Sequence, residues 1–300
     1  MMDDYSYLSP SVKKVADKSN EERIQFIQNP KWIGYTLAND ILNKLDQTFS
    51  QRKTHRMKNL LLVGSTNNGK TMIVNSFCRK HPATDDLNAD NIVVPVISIQ
   101  APPVPDEGRL YNNILEKVFA LYNPKEHASI KQMRVINILK EIGTKVLVID
   151  ELHHILSDTL NKQRRFLNVL KFLSNELQIP LIGVGTKEAL RAIQSDPQLE
   201  NRFEPVVLPL WRLNNDFKKL LASFEALLPL RKQSTLASNH MASRLHMLCE
   251  GTIGELSTIL SSAAILAIEQ GKEQITIELL DSMKLLSPTD RRKKATSHYL

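Results

Sequence analysis

Leu60-Leu61-Leu62-Val63-Gly64-Ser65-Thr66-Asn67-Asn68-Gly69-Lys70-Thr71 is the stretch that decides the fold. Four apolar residues in a row suit a strand buried on both faces, the habit of parallel sheets. Residues 64–71 then fill G-x-x-x-x-G-K-[ST] at every fixed position, and residues 72–79 read as a helix. In such a loop the glycines let the backbone curl until its N–H groups point inward at phosphate oxygens. The helix that follows brings the positive end of its dipole to the same spot. Gly64, Ser65, Thr66, Asn67, Asn68 and Gly69 are therefore expected to wrap the phosphates of ATP. Lys70 is expected to neutralise the β- and γ-phosphates, and Thr71 to offer its hydroxyl to Mg²⁺.

Four more apolar runs, at 92–99, 146–149, 181–184 and 206–208, alternate with segments of helical spacing such as 110–121 and 130–142. That alternation predicts an α/β domain whose parallel sheet is flanked by helices. Pro95 inside the second run predicts an edge position or a late start for that strand. The third run ends in Asp150 and Glu151. An aspartate at the carboxyl end of such a strand lies beside the phosphate loop and can hold Mg²⁺. The adjacent glutamate can polarise a water for attack on the γ-phosphate.

His153 and His154 follow without the spacing of an H-E-x-x-H zinc site, and read as turn residues. Thr186, after the fourth run, either holds the attacking water or caps the next helix. Gln100, ending the second run, can reach Glu151. Arg202, just before the last run, is placed to leave its own subunit and touch a neighbour's γ-phosphate.

Beyond residue 212 the strand signal stops. Phe217, Leu220, Leu221, Phe224, Leu227 and Leu228 recur at helical spacing, as do Ile253, Leu256, Ile259, Leu260, Ala263 and Leu266. Thr252 and Glu255 read as a capping box. The expected organisation is an N-terminal helical extension (1–50), a nucleotide-binding α/β domain (51–212), a small all-helical lid domain (213–287) and a basic tail (288–300).

Composition narrows the class. With 300 residues, 42% hydrophobic and 24% charged, the chain belongs with globular proteins, and no apolar run is long enough to span a membrane. The N-terminus lacks the basic-then-apolar order of a signal peptide. Two cysteines, Cys78 and Cys249, are too few for a disulfide scaffold and suit a reducing cytosol. The net charge of +7 permits nucleic-acid binding without demanding it. Its distribution is uneven: residues 51–84 hold no acid, and Arg291, Arg292, Lys293 and Lys294 crowd the tail, which reads as a solvated, frayed terminus.

Taken together, the phosphate loop, the acidic strand, Gly183-Val184-Gly185-Thr186, the arginine of Asn201-Arg202-Phe203 and the helical lid resemble the AAA+ ATPases of the initiator-like branch. Asn29-Pro30-Lys31-Trp32-Ile33-Gly34-Tyr35, Ile149-Asp150-Glu151-Leu152-His153-His154, Ile182 to Ala189 and Leu208-Pro209-Leu210-Trp211 are similar to the blocks of the TniB family over roughly residues 25–285. TniB proteins, like the related TnsC proteins, regulate bacterial DNA transposition.

The resemblance implies ATP-bound rings or helical filaments on double-stranded DNA, in the cytoplasm with the nucleoid. It implies a link between a TniQ-type targeting protein and a DDE-type transposase, with hydrolysis driving disassembly. By the same resemblance Arg109, Ser129 and Lys131 fall on the face that meets DNA, although Ser129 also reads as a capping-box residue. Contacts made mainly to phosphates carry little sequence preference. The pattern departs from its relatives at Glu255, where the lid helix often begins with a phosphate-sensing arginine. Two alternatives remain open: an initiator-type or helicase-loading ATPase, and a non-hydrolysing nucleotide-switch adaptor.

Overall fold

The structure is a computed structural model and describes residues 5–84 and 92–297. Its described residues form two compact units. One runs Thr36–Pro209; the other joins the residues up to Tyr35 to those from Leu210 onward.

The first unit is built on a five-stranded parallel sheet: β1 (Asn59–Gly64), β2 (Val96–Gln100), β3 (Val146–Asp150), β4 (Leu181–Gly185) and β5 (Phe203–Leu208), in the order β2-β3-β4-β1-β5. Burial follows that order. Every residue of β1, β3 and β4 is buried, as the unbroken apolar runs require of central strands. The edge strands β2 and β5 mix buried with exposed positions. β5 also carries Pro205, which an edge tolerates because one side of the strand has no partner to bond.

β2 corrects the expected 92–99 strand. It is an edge strand and begins only at Val96, because Pro95 turns its carbonyl to the amides of Lys145 and Val146 and lacks an N–H to continue the ladder. The helix expected at 110–121 is Glu107–Lys117. Asp106 starts it early by accepting from the Arg109 amide at 2.7 Å. It ends at Lys117, and two residues on Phe119 takes a left-handed φ of 54°. The next helix is Ala128–Glu141. Its cap is His127, so Ser129 is not the capping residue; its hydroxyl bonds the His127 ring at 2.8 Å.

In the second unit the helices Asn20–Gln28, Asn215–Glu225, Asn239–Cys249, Ile253–Glu269 and Ile277–Ser282 enclose one apolar core containing Ile27, Phe217, Leu245, Leu260 and Leu279. The capping box at Thr252 and Glu255 does not form. Thr252 donates to the Cys249 carbonyl, and the Glu255 carboxylate accepts from Arg291 at 2.7 Å. The tail is a helix, Pro288–Ser297, with no buried residue. Among the described residues no single helix is long and apolar enough to cross a membrane.

A buried ion pair ties the N-terminal segment of this unit to its later part. Arg23 is fully buried, and its guanidinium grips both carboxylate oxygens of Glu273 while Nε donates to the Pro229 carbonyl at 3.0 Å. Burial alone would raise the Glu273 pKa. The Arg23 hydrogen bonds and charge outweigh it and hold the carboxyl below its ordinary value. Glu273→Ala leaves a buried guanidinium unpaired and is expected to cost about 3–5 kcal/mol, read by denaturant unfolding. Because the folded pKa is depressed, the wild-type contribution is present above the unfolded carboxyl pKa and disappears as pH falls through the folded one. The variant should lack that acid limb.

Candidate active site

The site is assembled from strand ends. β1 runs into the 64–71 loop, β3 ends at Asp150, and β4 lies hydrogen-bonded between them. The middle strand must be thin at its end. A Cβ at Gly185 would sit 2.6 Å from the Ala189 Cβ, so only glycine lets the following helix close against the strand.

The loop curls through two left-handed residues, Asn67 (φ 58°) and Gly69 (φ 85°), the second serving as N-cap of the Lys70–Lys80 helix. That sequence of turns aims amide N–H groups into the concavity at the helix's positive end. Asn68 straps the loop down: its side-chain amide donates to the carbonyls of Leu208 at 3.0 Å and Pro209 at 2.9 Å.

Lys70 is buried, and its ammonium donates to the Ser65 carbonyl at 2.8 Å. Burial lowers its pKa, and the carboxylates of Glu151 and Asp150 push back. Asp150 is also buried and used on both oxygens. One accepts from the Thr71 hydroxyl at 2.9 Å, the other from the Glu151 amide at 2.8 Å. A hydroxyl and a carboxylate oxygen held that close are hard donors, and they fit Mg²⁺.

Glu151 is half-buried, with a left-handed φ of 56° at the head of the 3-10 helix Leu152–Ser157. One carboxylate oxygen lies 3.2 Å from Nδ1 of His153. Thr186 is the N-cap residue of the Lys187–Gln194 helix but makes no side-chain cap; its hydroxyl donates to the Glu188 carboxylate. Residues 66–72, Glu151 and Thr186 line one cavity of about 180 Å³.

The structure thus gathers the loop residues Thr66, Asn67, Asn68, Gly69, Lys70 and Thr71 with Glu151 and Thr186 around one cavity, and links Asp150 to it through Thr71. Gly64 and Ser65 shape the loop entrance, where a Cβ on Gly64 would press within 2.9 Å of the Leu208 carbonyl. Arg202 lies elsewhere, donating to Asn175 at 2.8 Å. Gln100 pairs in register with Asp150, and among the described residues it makes no hydrogen bond to Glu151. Arg109 is exposed. Lys131 is not placed to meet a duplex: it is buried, with its ammonium on the Pro124 carbonyl at 2.9 Å.

Sequence reasoning missed the Asn68 strap, whose partners lie 140 residues away, and the closeness of His153 to Glu151. For the histidines a signal was present, since two imidazoles directly after the acidic pair fall within one helical turn of it.

The family described as Bacterial TniB protein matches residues 23–213. No curated protein matches the sequence. Among solved structures, the chain is similar to the ORC2 protein of Aeropyrum pernix in its ADPNP-ADP complexes, with TM-score 0.59 and 14% identity, over 85% of this chain and 70% of that one. It is similar to the Aeropyrum pernix ORC1 protein in complex with DNA, with TM-score 0.55 and 15% identity, over 87% and 68%. The Pyrobaculum aerophilum Cdc6p structure gives TM-score 0.55 and 15% identity, over 87% and 70%. At these identities the likeness is one of fold, and the fold is that of the AAA+ ATPases, with a helical C-terminal region.

Proposed function

This chain belongs to the TniB family, and from that membership we propose that it is an ATP-hydrolysing regulator of DNA transposition. It assembles on double-stranded DNA in the bacterial cytoplasm, links a TniQ-type targeting protein to a DDE-type transposase, and is dispersed by hydrolysis. The observation that carries the reading is the joined geometry of Lys70, Thr71, Asp150 and Glu151: a cation, a hydroxyl and a carboxylate line one cavity of about 180 Å³, and a second carboxylate bonds that hydroxyl from behind.

The residues divide the work. The loop amides bind the phosphates, and Lys70 exchanges its Ser65 carbonyl for their oxygens. Thr71 and Asp150 would hold Mg²⁺, which supplies charge neutralisation on the phosphate oxygens when bound. Glu151 takes the proton of the attacking water, and Thr186, lining the same cavity, steadies that water. Arg202, half-buried and within reach of the surface, serves a neighbouring copy's nucleotide. Arg109 meets DNA phosphate from the first turn of its helix.

The test is sedimentation with a random-sequence duplex. A non-hydrolysable ATP analogue should produce large assemblies, ATP should produce assemblies that disperse as it is consumed, and added salt should weaken both. DNA binding that ignores nucleotide would refute the regulator reading. In nucleotide-titration and ATPase assays, Arg202→Ala should leave nucleotide binding by the free protein intact and cut turnover in the presence of duplex by about 10³-fold or more. Lost nucleotide binding would instead place Arg202 in its own subunit's site.

A further inference from the structure

The phosphate chemistry leaves His153 and His154 without a task, yet both crowd the carboxylate on which that chemistry depends. Glu151, His153 and His154 each present a ligand atom, and these atoms all lie within 4.8 Å of one another. The two imidazoles meet edge to face with centroids 4.8 Å apart. All three side chains are half-buried, so each keeps some rotamer freedom while water is partly excluded. Ligand atoms around a tetrahedral zinc sit about 3.4 Å apart, given bonds of about 2.0–2.1 Å. The cluster therefore needs a closure of up to about 1.4 Å at its widest pair.

Two further observations distinguish this from a chance grouping. Among the described residues, Nδ1 of His153 is a buried atom that makes no aligned hydrogen bond, although a Glu151 oxygen stands 3.2 Å away. A ring nitrogen and a carboxylate oxygen at that separation, without the alignment of a hydrogen bond, are disposed like two ligands of one cation. Nδ1 of His154 instead lies 3.4 Å from the Ala101 carbonyl. That carbonyl sets the ring's orientation and leaves Nε2 to ligate, as outer partners do in histidine metal sites. The left-handed backbone at Glu151 also belongs to the argument. A glutamate at φ 56° is strained, and such strain gathers at functional positions.

We propose that Glu151, His153 and His154 form a site for a transition-metal dication of the Zn²⁺ class, separate from the Mg²⁺ position at Thr71 and Asp150, and that its occupancy switches hydrolysis off. Donor chemistry separates the two sites. Two imidazole nitrogens and one carboxylate select zinc, cobalt or nickel, whereas Mg²⁺ takes oxygen ligands. The switch rests on the role given to Glu151 above. A carboxylate bound to a metal can no longer accept a proton from water, while the phosphate loop, which contributes no ligand, still holds nucleotide.

The experiment uses the full chain, free of nucleotide and in excess Mg²⁺. Co²⁺ is titrated while its visible absorption is followed, and Zn²⁺ is then added to displace it. One equivalent is expected, with the intense bands of a nitrogen- and oxygen-ligated site of low coordination number. His153→Ala and His154→Gln should each weaken it by at least about tenfold. Imidazole NMR of the wild-type protein reads the same site without any substitution, and Zn²⁺ should shift the ring signals of His153 and His154 alone.

In the ATPase assay, His154→Gln should raise the half-inhibitory Zn²⁺ concentration by the same factor. Equal Co²⁺ uptake by wild type and the doubly substituted protein, or Zn²⁺ shifts on other histidines only, would overturn the site. Zn²⁺ inhibition unchanged in His154→Gln would overturn the switch. Specific uptake by a wild-type protein that hydrolyses no ATP would support the site and remove Glu151's proposed catalytic role, so the two readings fail separately.

Discussion

Lys70→Ala is expected to abolish nucleotide-dependent assembly on DNA while the protein stays folded. The ammonium is buried and donates to the Ser65 carbonyl, within the influence of Asp150 and Glu151. Hydrogen bonds to charged groups contribute about 1.5–3 kcal/mol each, so losing the contact to phosphate should weaken ATP binding by roughly 10–150-fold. A second effect adds to the first. Without Lys70 the two carboxylates face the incoming phosphates with one positive charge fewer beside them, and the added repulsion moves the loss toward the upper end of the range.

Folding should survive. Alanine is the best helix former, and Lys70 opens the Lys70–Lys80 helix with the Ser65 carbonyl as its side-chain hydrogen-bond partner among the described residues. Titration with a fluorescent ATP analogue measures the first effect, and sedimentation with duplex the second. Normal assemblies in this variant would refute the role given to the lysine.

The central strands were legible because burial on both faces leaves an unbroken apolar run, and β1, β3 and β4 lie within a residue or two of those runs. Edges are harder to read. β2 and β5 bury only part of their side chains, so their apolar runs have ragged limits, and prolines stand beside or inside both. Helix ends depend on which nearby polar atom wins the first free amides. Asp106 and His127 won against later candidates, and nothing local told Ser129 that it would be the second residue rather than the cap. The Asn239–Cys249 helix shows the opposite case. Its buried Met241, Leu245 and Leu248 have helical spacing in the sequence, but histidines and polar residues dilute the stripe.

Within the candidate site, the loop and the acidic pair were legible because their function needs fixed residue types at fixed spacing. What the sequence left out is long-range. Asn68 acts on the carbonyls of Leu208 and Pro209, Arg202 rests on Asn175, and Lys131 folds onto Pro124; each depends on a fold no local window contains. Glu255 is instructive in the same way. The sequence does not show its partner: the carboxylate pairs with Arg291, so part of the tail's charge is spent within the unit rather than on solvent.

Glu151→Gln should separate binding from turnover more cleanly than any other change in the site. The substitution keeps the side chain's size and its ability to sit near His153, and leaves the backbone that bonds Asp150 untouched. It removes only the basicity. General-base catalysis contributes about 10²–10⁴-fold, and single-turnover hydrolysis should fall by that factor. Affinity for ATP should hold or rise slightly, because one negative charge leaves the rim of a cavity that receives a polyanion.

On duplex DNA the consequence is kinetic. Assemblies formed with ATP should persist as long as those formed with a non-hydrolysable analogue, since nothing triggers their release. Glutamine also tests the metal switch, because an amide is a poor ligand and Co²⁺ uptake should drop together with turnover. Glu151→Asp divides the two effects. The shorter acid stays basic but draws back from His153, so residual turnover with weakened Co²⁺ uptake is the expected pair. If Glu151→Gln instead hydrolyses ATP at the wild-type rate, another group activates the water, and the carboxylate's position beside two imidazoles would then serve metal binding alone.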